Sequence, residues 1–157
     1  LAPLRNCDRS LEYNIGCICS LFCNWFTVAD NARDALRTAL DETGKIFSDP
    51  THVRHRAMRH CIASGMIAMN NGCRCSRCVG LVREQYQNEC NDQDPREGDR
   101  GEFNNQQGRD CVDCSGDNFM WGPAKQMKVK ELVDCCRKKL DDGELDIGPG
   151  PSPLPGD

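Results

Sequence analysis

The chain has 157 residues, a formal net charge of −4, and 13 cysteines among 38% hydrophobic residues. That length is one domain, and so small a net charge selects no class of partner. The longest apolar run, residues 15–29, is broken by Ser20, Asn24 and several Cys or Trp positions, which excludes a bilayer-spanning helix there.

Residues 1–26 form a cysteine-rich segment, with Cys7, Cys17, Cys19 and Cys23, expected to be short, partly helical and stapled to the core. Thr27 or Asp30 then opens a helix. Ala32, Ala35, Leu36, Ala39 and Leu40 fall at i, i+3, i+4, i+7 and i+8, and Gly44 ends it. Ser48-Asp49-Pro50 starts a second helix that runs to about Asn70, with Met58, Cys61, Ile62, Gly65, Met66 and Met69 on its apolar face. Asn70-Asn71-Gly72 is a stop. A third helix follows to about Cys90, and so short a connection predicts antiparallel packing.

Residues 91–109 are polar and rich in turn residues, so the pattern predicts a long loop. Trp121-Gly122-Pro123 leads into a last helix, with Pro123 in its first turn. Val129, Leu132, Val133, Cys136 and Leu140 give that helix its buried face. No run alternates in the manner of a strand. The expected fold is therefore all-α: a compact, disulfide-cross-linked bundle of four to five helices with a long polar loop. Residues 27–140 are the helical domain. Residues 141–157, acidic and then Pro/Gly-rich, form a tail expected to be disordered.

Cysteine makes up about 8% of the chain, near the level of a disulfide scaffold. Cys73-x-Cys75-x-x-Cys78 and Cys111-x-x-Cys114 also have zinc-like spacings. Yet cysteines lie in nearly every segment, and the vicinal Cys135-Cys136 points two ways around a helix, which suits two separate bridges. Disulfides are the preferred reading, with no metal site assigned. They place the protein in an oxidising compartment, secreted and acting in the periplasm or outside the cell. The odd count leaves at least one cysteine over, and Cys7 and Cys90 have no near neighbours in sequence. The chain opens on Leu1 rather than Met, as expected of a processed protein or of a piece of a longer one.

Charge is divided along the chain. Residues 51–83 hold six arginines and all three histidines with no carboxylate, whereas residues 84–118 hold ten acids. Within the basic block, His60 has Arg56 and Ser64 at i−4 and i+4. A histidine titrates near neutrality and suits a general base. Glu84 on the following helix is the candidate to orient the imidazole. Asn104 and Asn105 are candidates to hold developing negative charge through their amides, Asp110 is a second carboxylate, and Arg59 and Arg56 are candidates for substrate binding. The basic run His52-Val53-Arg54-His55-Arg56 suits phosphates of nucleic acid or lipid. Aromatic stacking residues are too scarce around it to favour nucleic acid. Each of these residues also has an ordinary structural explanation: a hydrogen-bonded histidine, a solvated ion pair, an Asn-containing turn.

Taken together, Arg59-His60-Cys61-x-Ala63-Ser64, then Glu84, then Asn104-Asn105-x-x-Gly108-Arg109-Asp110-Cys111, resembles a small α-helical domain at the C-terminal ends of bacterial polymorphic toxins, Rhs-type effectors among them. The resemblance spans roughly residues 54–114. It implies an antibacterial effector with a cognate immunity protein as partner, and marks Arg59, His60, Glu84, Asn104, Asn105 and Gly108 as the positions that matter. Where that pattern has a Met-Asp-containing stretch before Asn-Asn, this chain reads Gly101-Glu102-Phe103. A weaker likeness is to secreted phospholipases A2, but Cys61 stands where those have an aspartate after the histidine, and the glycine-rich loop is missing.

The resulting expectation is a secreted antibacterial toxin domain. It would be a hydrolase of membrane lipid or a cell-wall precursor, with His60 as general base and no cofactor assigned. The alternatives are a nuclease toxin and a non-enzymatic disulfide-rich binding protein. For the last of these, the three motif stretches need not meet in space.

Overall fold

The computed structural model describes residues 7–24, 26–115, 124 and 126–149. Six helices account for its regular structure, with no strand among the described residues. They are α1 (Leu11–Ile18), α2 (Val28–Gly44), α3 (Val53–Asn71), α4 (Cys73–Cys90), α5 (Pro95–Asp110) and α6 (Val129–Asp141). The all-α, disulfide-cross-linked bundle is the architecture the sequence predicts.

Helix α3 is the axis of the bundle. Helices α2, α4, α5 and α6 all pack against it, and Met58, Cys61, Ile62, Gly65, Met66 and Met69 are buried. Gly72, at φ 93°, breaks the chain between α3 and α4. That backbone region favours glycine, so α4 folds straight back along α3.

Residues 91–109 are not a long loop. Asp94 caps a helix by accepting from the Arg96 backbone N–H at 2.9 Å, and Pro95 occupies its first position. Three glycines and a run of Asn and Gln mask this helix in a hydropathy reading. They are also what lets it pack. A Cβ at Gly108 would stand 2.8 Å from the Cys61 carbonyl carbon and closer still to its oxygen. Helix α5 therefore lies directly against the α3 backbone.

Six disulfides engage twelve of the cysteines. Cys7–Cys90, Cys19–Cys78 and Cys23–Cys75 fasten the N-terminal segment to α4. Cys61–Cys136, Cys73–Cys114 and Cys111–Cys135 tie α6 and the end of α5 to the α3–α4 pair. Cys135 and Cys136 do enter separate bridges. The zinc-like spacings are divided among different bridges, so those thiols are not available to a metal. Cys7 and Cys90 pair with each other, and the free cysteine is the exposed Cys17. Each bridge restricts the unfolded chain, by about 2–4 kcal/mol in a typical case.

The first part of the predicted tail packs on the bundle. Leu145 is buried. The Asn104 side chain donates to the Asp146 carbonyl at 2.9 Å and accepts from the Asp146 N–H at 2.8 Å. Residues 150–157 and the Trp121-Gly122-Pro123 stretch lie outside the described residues.

Candidate active site

Three sequence motifs from three helices converge on His60. The α3 residue His60 directs Nδ1 at Asn105 Oδ1 of α5, 3.1 Å away. Glu84 Oε1 of α4 lies 3.7 Å from the same nitrogen. The two approaching helices are held close by glycine. A Cβ at Gly101 would stand 2.8 Å from the Glu84 carboxyl carbon and 3.0 Å from His60 Cε1. A Cβ at Gly80 would stand 2.9 Å from both Asn105 Nδ2 and Glu102 Oε2.

The hydrogen bonds set the tautomer of His60. Arg109 Nη2 donates to Glu102 Oε1 at 2.7 Å, and Asn105 Nδ2 donates to Glu102 Oε2 at 3.3 Å. Asn105 thus turns Oδ1, an acceptor only, toward the ring. Nδ1 must carry the proton, which leaves the lone pair on Nε2. This Arg–Glu–Asn–His chain is buried along most of its length, since Arg109 and Asn105 are both buried. Arg109 is further held by Ser64 Oγ at 3.4 Å and by Gln106.

Glu84 is fixed independently of His60. Arg83 Nη1 donates to Oε1 at 2.8 Å and Gln93 Nε2 donates to Oε2 at 2.9 Å. Burial raises the Glu84 pKa, and the Arg83 charge opposes that rise. For His60 burial acts in the other direction. Desolvation, reinforced by the charge of Arg83 and then of Arg59 and Arg56, pulls its pKa from 6.5 to about 3, against the opposing bond to Asn105. The imidazole is therefore neutral at physiological pH. Arg59 is itself lowered, by burial and by the like charges of Arg83 and Arg56.

His60 lines a cleft of about 130 Å³ between α1, α2, α3, α4 and α5. Its walls are apolar, among them Leu11, Ile15, Ala32, Leu36, Ile67 and Val79. Asn105, Ser64 and Ser76 add polar groups, Glu12 adds a carboxylate, and Arg33, Arg59 and Arg83 supply positive charge, with Arg33 paired to Asp30 and Arg83 to Glu84. Ser64 and Ser76 are buried and satisfy each other, with Oγ to Oγ at 3.0 Å and Ser76 Oγ to the Ser64 carbonyl at 2.8 Å.

The other sequence candidates take different places. Asn105 belongs to the cluster, but its N–H₂ group is turned to Glu102, so it orients His60 rather than facing a substrate. The amide of Asn104 is taken up by the Asp146 backbone. Asp110 is exposed at the end of α5, bonded by Gln106 at 2.8 Å and outside the cleft lining. Arg59 lines the cleft, whereas Arg56 pairs with Glu97 at 2.6 Å. The basic run of residues 52–56 is largely committed internally. His55 is 2% exposed, His52 caps α3 by accepting from the Arg54 N–H, and Arg54 pairs with Asp141.

Arg83, Gln93, Gly80 and Gly101 were not legible as site residues. The adjacent Arg83 and Glu84 read as a solvated ion pair, yet the Glu84 side chain is buried. No family model, curated protein or solved structure matches the chain.

Proposed function

We propose that this protein is a secreted bacterial toxin domain that hydrolyses a lipid-bearing component of the cell envelope, with His60 as general base. The observation that carries this reading is the Nδ1–H of His60 bound to Asn105 in the lining of a largely apolar cleft that also holds Arg59 and Arg83. A histidine whose Nδ1–H is held in this way keeps an acceptor lone pair on Nε2, as a general base requires. An apolar cleft with cationic groups suits an amphiphile whose chain is apolar and whose headgroup is anionic.

In the proposed reaction, Nε2 removes a proton from water as the water oxygen bonds to the ester carbon or phosphorus of the substrate. The leaving oxygen then takes that proton back from the imidazolium. Asn105 Oδ1 and the Glu84 carboxylate stabilise the imidazolium while it lasts, and Arg59 and Arg83 stabilise charge on the substrate. Burial, and after it the charge of these arginines, depresses the basicity of His60 in the empty site. An anionic headgroup between them offsets the arginine part of that depression.

Six disulfides fit an oxidising site of action. The binding-protein reading draws less support, because Asn105 and Glu84 both lie within 4 Å of His60. The nuclease reading draws less as well, because the charges of the basic run are committed to internal partners.

The test is expression in a bacterial host with and without a periplasmic signal, His60→Ala in parallel. Growth arrest confined to the periplasmic form and lost in His60→Ala is the expected result. Equal toxicity of His60→Ala overturns the mechanism, and cytoplasmic toxicity overturns the envelope target.

A further inference from the structure

The connection between α1 and α2 carries apolar side chains that the bundle does not cover. Phe26 is 86% exposed, Leu21 66% and Phe22 42%. Their exposure is enforced. Cys19 and Cys23 are fully buried and bridge to Cys78 and Cys75. Between them the chain makes a helical turn, with the Cys23 N–H donating to the Cys19 carbonyl at 2.9 Å. Residues three and four apart share a face of such a turn, so anchoring 19 and 23 inward turns 21 outward and leaves 22 on the flank, half exposed. Phe26 is then held in a tight turn by its N–H on Asn24 Oδ1 at 3.0 Å. Two disulfides thus stiffen a segment whose large apolar groups face solvent.

Two further features fit a lipid surface. Residues 15–29 contain no charged side chain, so the exposed groups sit in an uncharged run. On α4 the exposed Arg77 stands between the two anchoring cysteines, Cys75 and Cys78. An uncharged apolar tip bridged to a helix that carries an exposed arginine matches the interface of an anionic membrane, with ring and aliphatic groups at the acyl boundary and the guanidinium at the phosphates. The segment also joins the two helices that wall the His60 cleft. Ile15 of α1 and Ala29 of α2, a few residues to either side, are lining residues.

We infer that Leu21, Phe22 and Phe26 form a membrane-docking tip that seats the protein on an anionic phospholipid surface beside the cleft. This deepens the lipid-hydrolase reading and rests on it for the choice of a bilayer over a protein partner.

The test is flotation of the full, oxidised chain with vesicles of equal phosphatidylcholine and phosphatidylglycerol, alongside product analysis. The variants are Phe22→Ser with Phe26→Ser, His60→Ala, and Phe103→Ser as a control. Phe103, on α5, is 48% exposed and remote in sequence from the tip. Wild type, His60→Ala and Phe103→Ser are expected to float equally. The double variant is expected to partition about a hundredfold less, roughly tenfold per ring removed. It should keep wild-type turnover on a dispersed short-chain phospholipid while losing turnover on vesicles. Failure of the wild type to float, or flotation of the double variant at the wild-type level, overturns the inference. So does a wild-type dimer abolished by the double substitution without vesicle binding, which would assign the tip to a second copy. Flotation that follows the expected pattern without any lipid product leaves the docking tip standing and removes the hydrolase reading instead.

Discussion

Gly108→Ala should damage the fold more than any other conservative change in α5. The new Cβ would meet the Cys61 carbonyl, with its carbon 2.8 Å away and its Cα at 3.1 Å. These are backbone atoms in the middle of α3, and Cys61 is pinned by its bridge to Cys136, so nothing flexible can give way. Overpacking of this kind costs typically 1–3 kcal/mol, and a backbone obstacle belongs at the upper end. Alanine returns about 1 kcal/mol through helix propensity. The net expectation is a loss of about 2 kcal/mol, or a fall in Tm of roughly 6–8 °C. Gly44→Ala is the control, because a Cβ there meets nothing within 4 Å. It should be neutral or stabilising by up to about 1 kcal/mol. Urea denaturation followed by circular dichroism, without reductant, measures both. Equal or greater stability of Gly108→Ala would refute the close α3–α5 crossing and the site geometry built on it.

His60 should impose a pH dependence on stability. Its folded pKa of about 3 lies below its ordinary 6.5, so the unfolded chain binds the extra proton between those values. Stability is lost as pH falls through that window, by up to about 1.4 kcal/mol per pH unit. Denaturation series on wild type and His60→Phe should diverge below about pH 6.5, and parallel curves would show that His60 is not desolvated. Asn105→Asp should place a carboxylate on Nδ1, raise the His60 pKa and move the acid limb of activity to higher pH. Asn105→Ala should lower kcat by about 10²-fold through loss of orientation. A pH–rate profile unmoved by Asn105→Asp would remove Asn105 from its positioning role. Alkylation of the native protein followed by mass spectrometry should label one cysteine, Cys17, until the protein is reduced. Labelling of several cysteines after chelator treatment would restore the zinc reading.

Much of the frame was legible because it rests on apolar periodicity. The stripes through Ala35 and Ala39, Met58 to Met69, and Leu132 to Leu140 are buried in the bundle. Helix α5 was hidden because it packs by close approach rather than by hydrophobic bulk. Gly98, Gly101, Asn105 and Gly108 share one face, and glycine and asparagine both weaken a helix prediction. The Asp94-Pro95 start was the available signal. His60, Glu84 and Asn105 were nameable from residue type and motif. Their roles were not, because roles depend on which donor turns to which acceptor. Asn105 spends its N–H₂ on Glu102, and Glu84 is held by Arg83 and Gln93. Leu36 has the helical period of a core residue but is 37% exposed, because it lines the cleft.

The claim that most needs testing is that His60 performs lipid hydrolysis. Purified wild type, His60→Ala and Gly44→Ala would be incubated with phosphatidylglycerol vesicles and with a lipid-linked cell-wall precursor, and the products resolved by mass spectrometry. Cleavage of one of these lipids by wild type and Gly44→Ala is expected, with at least about 10²-fold less from His60→Ala. Intact lipids with wild type, or equal cleavage by His60→Ala, would contradict it.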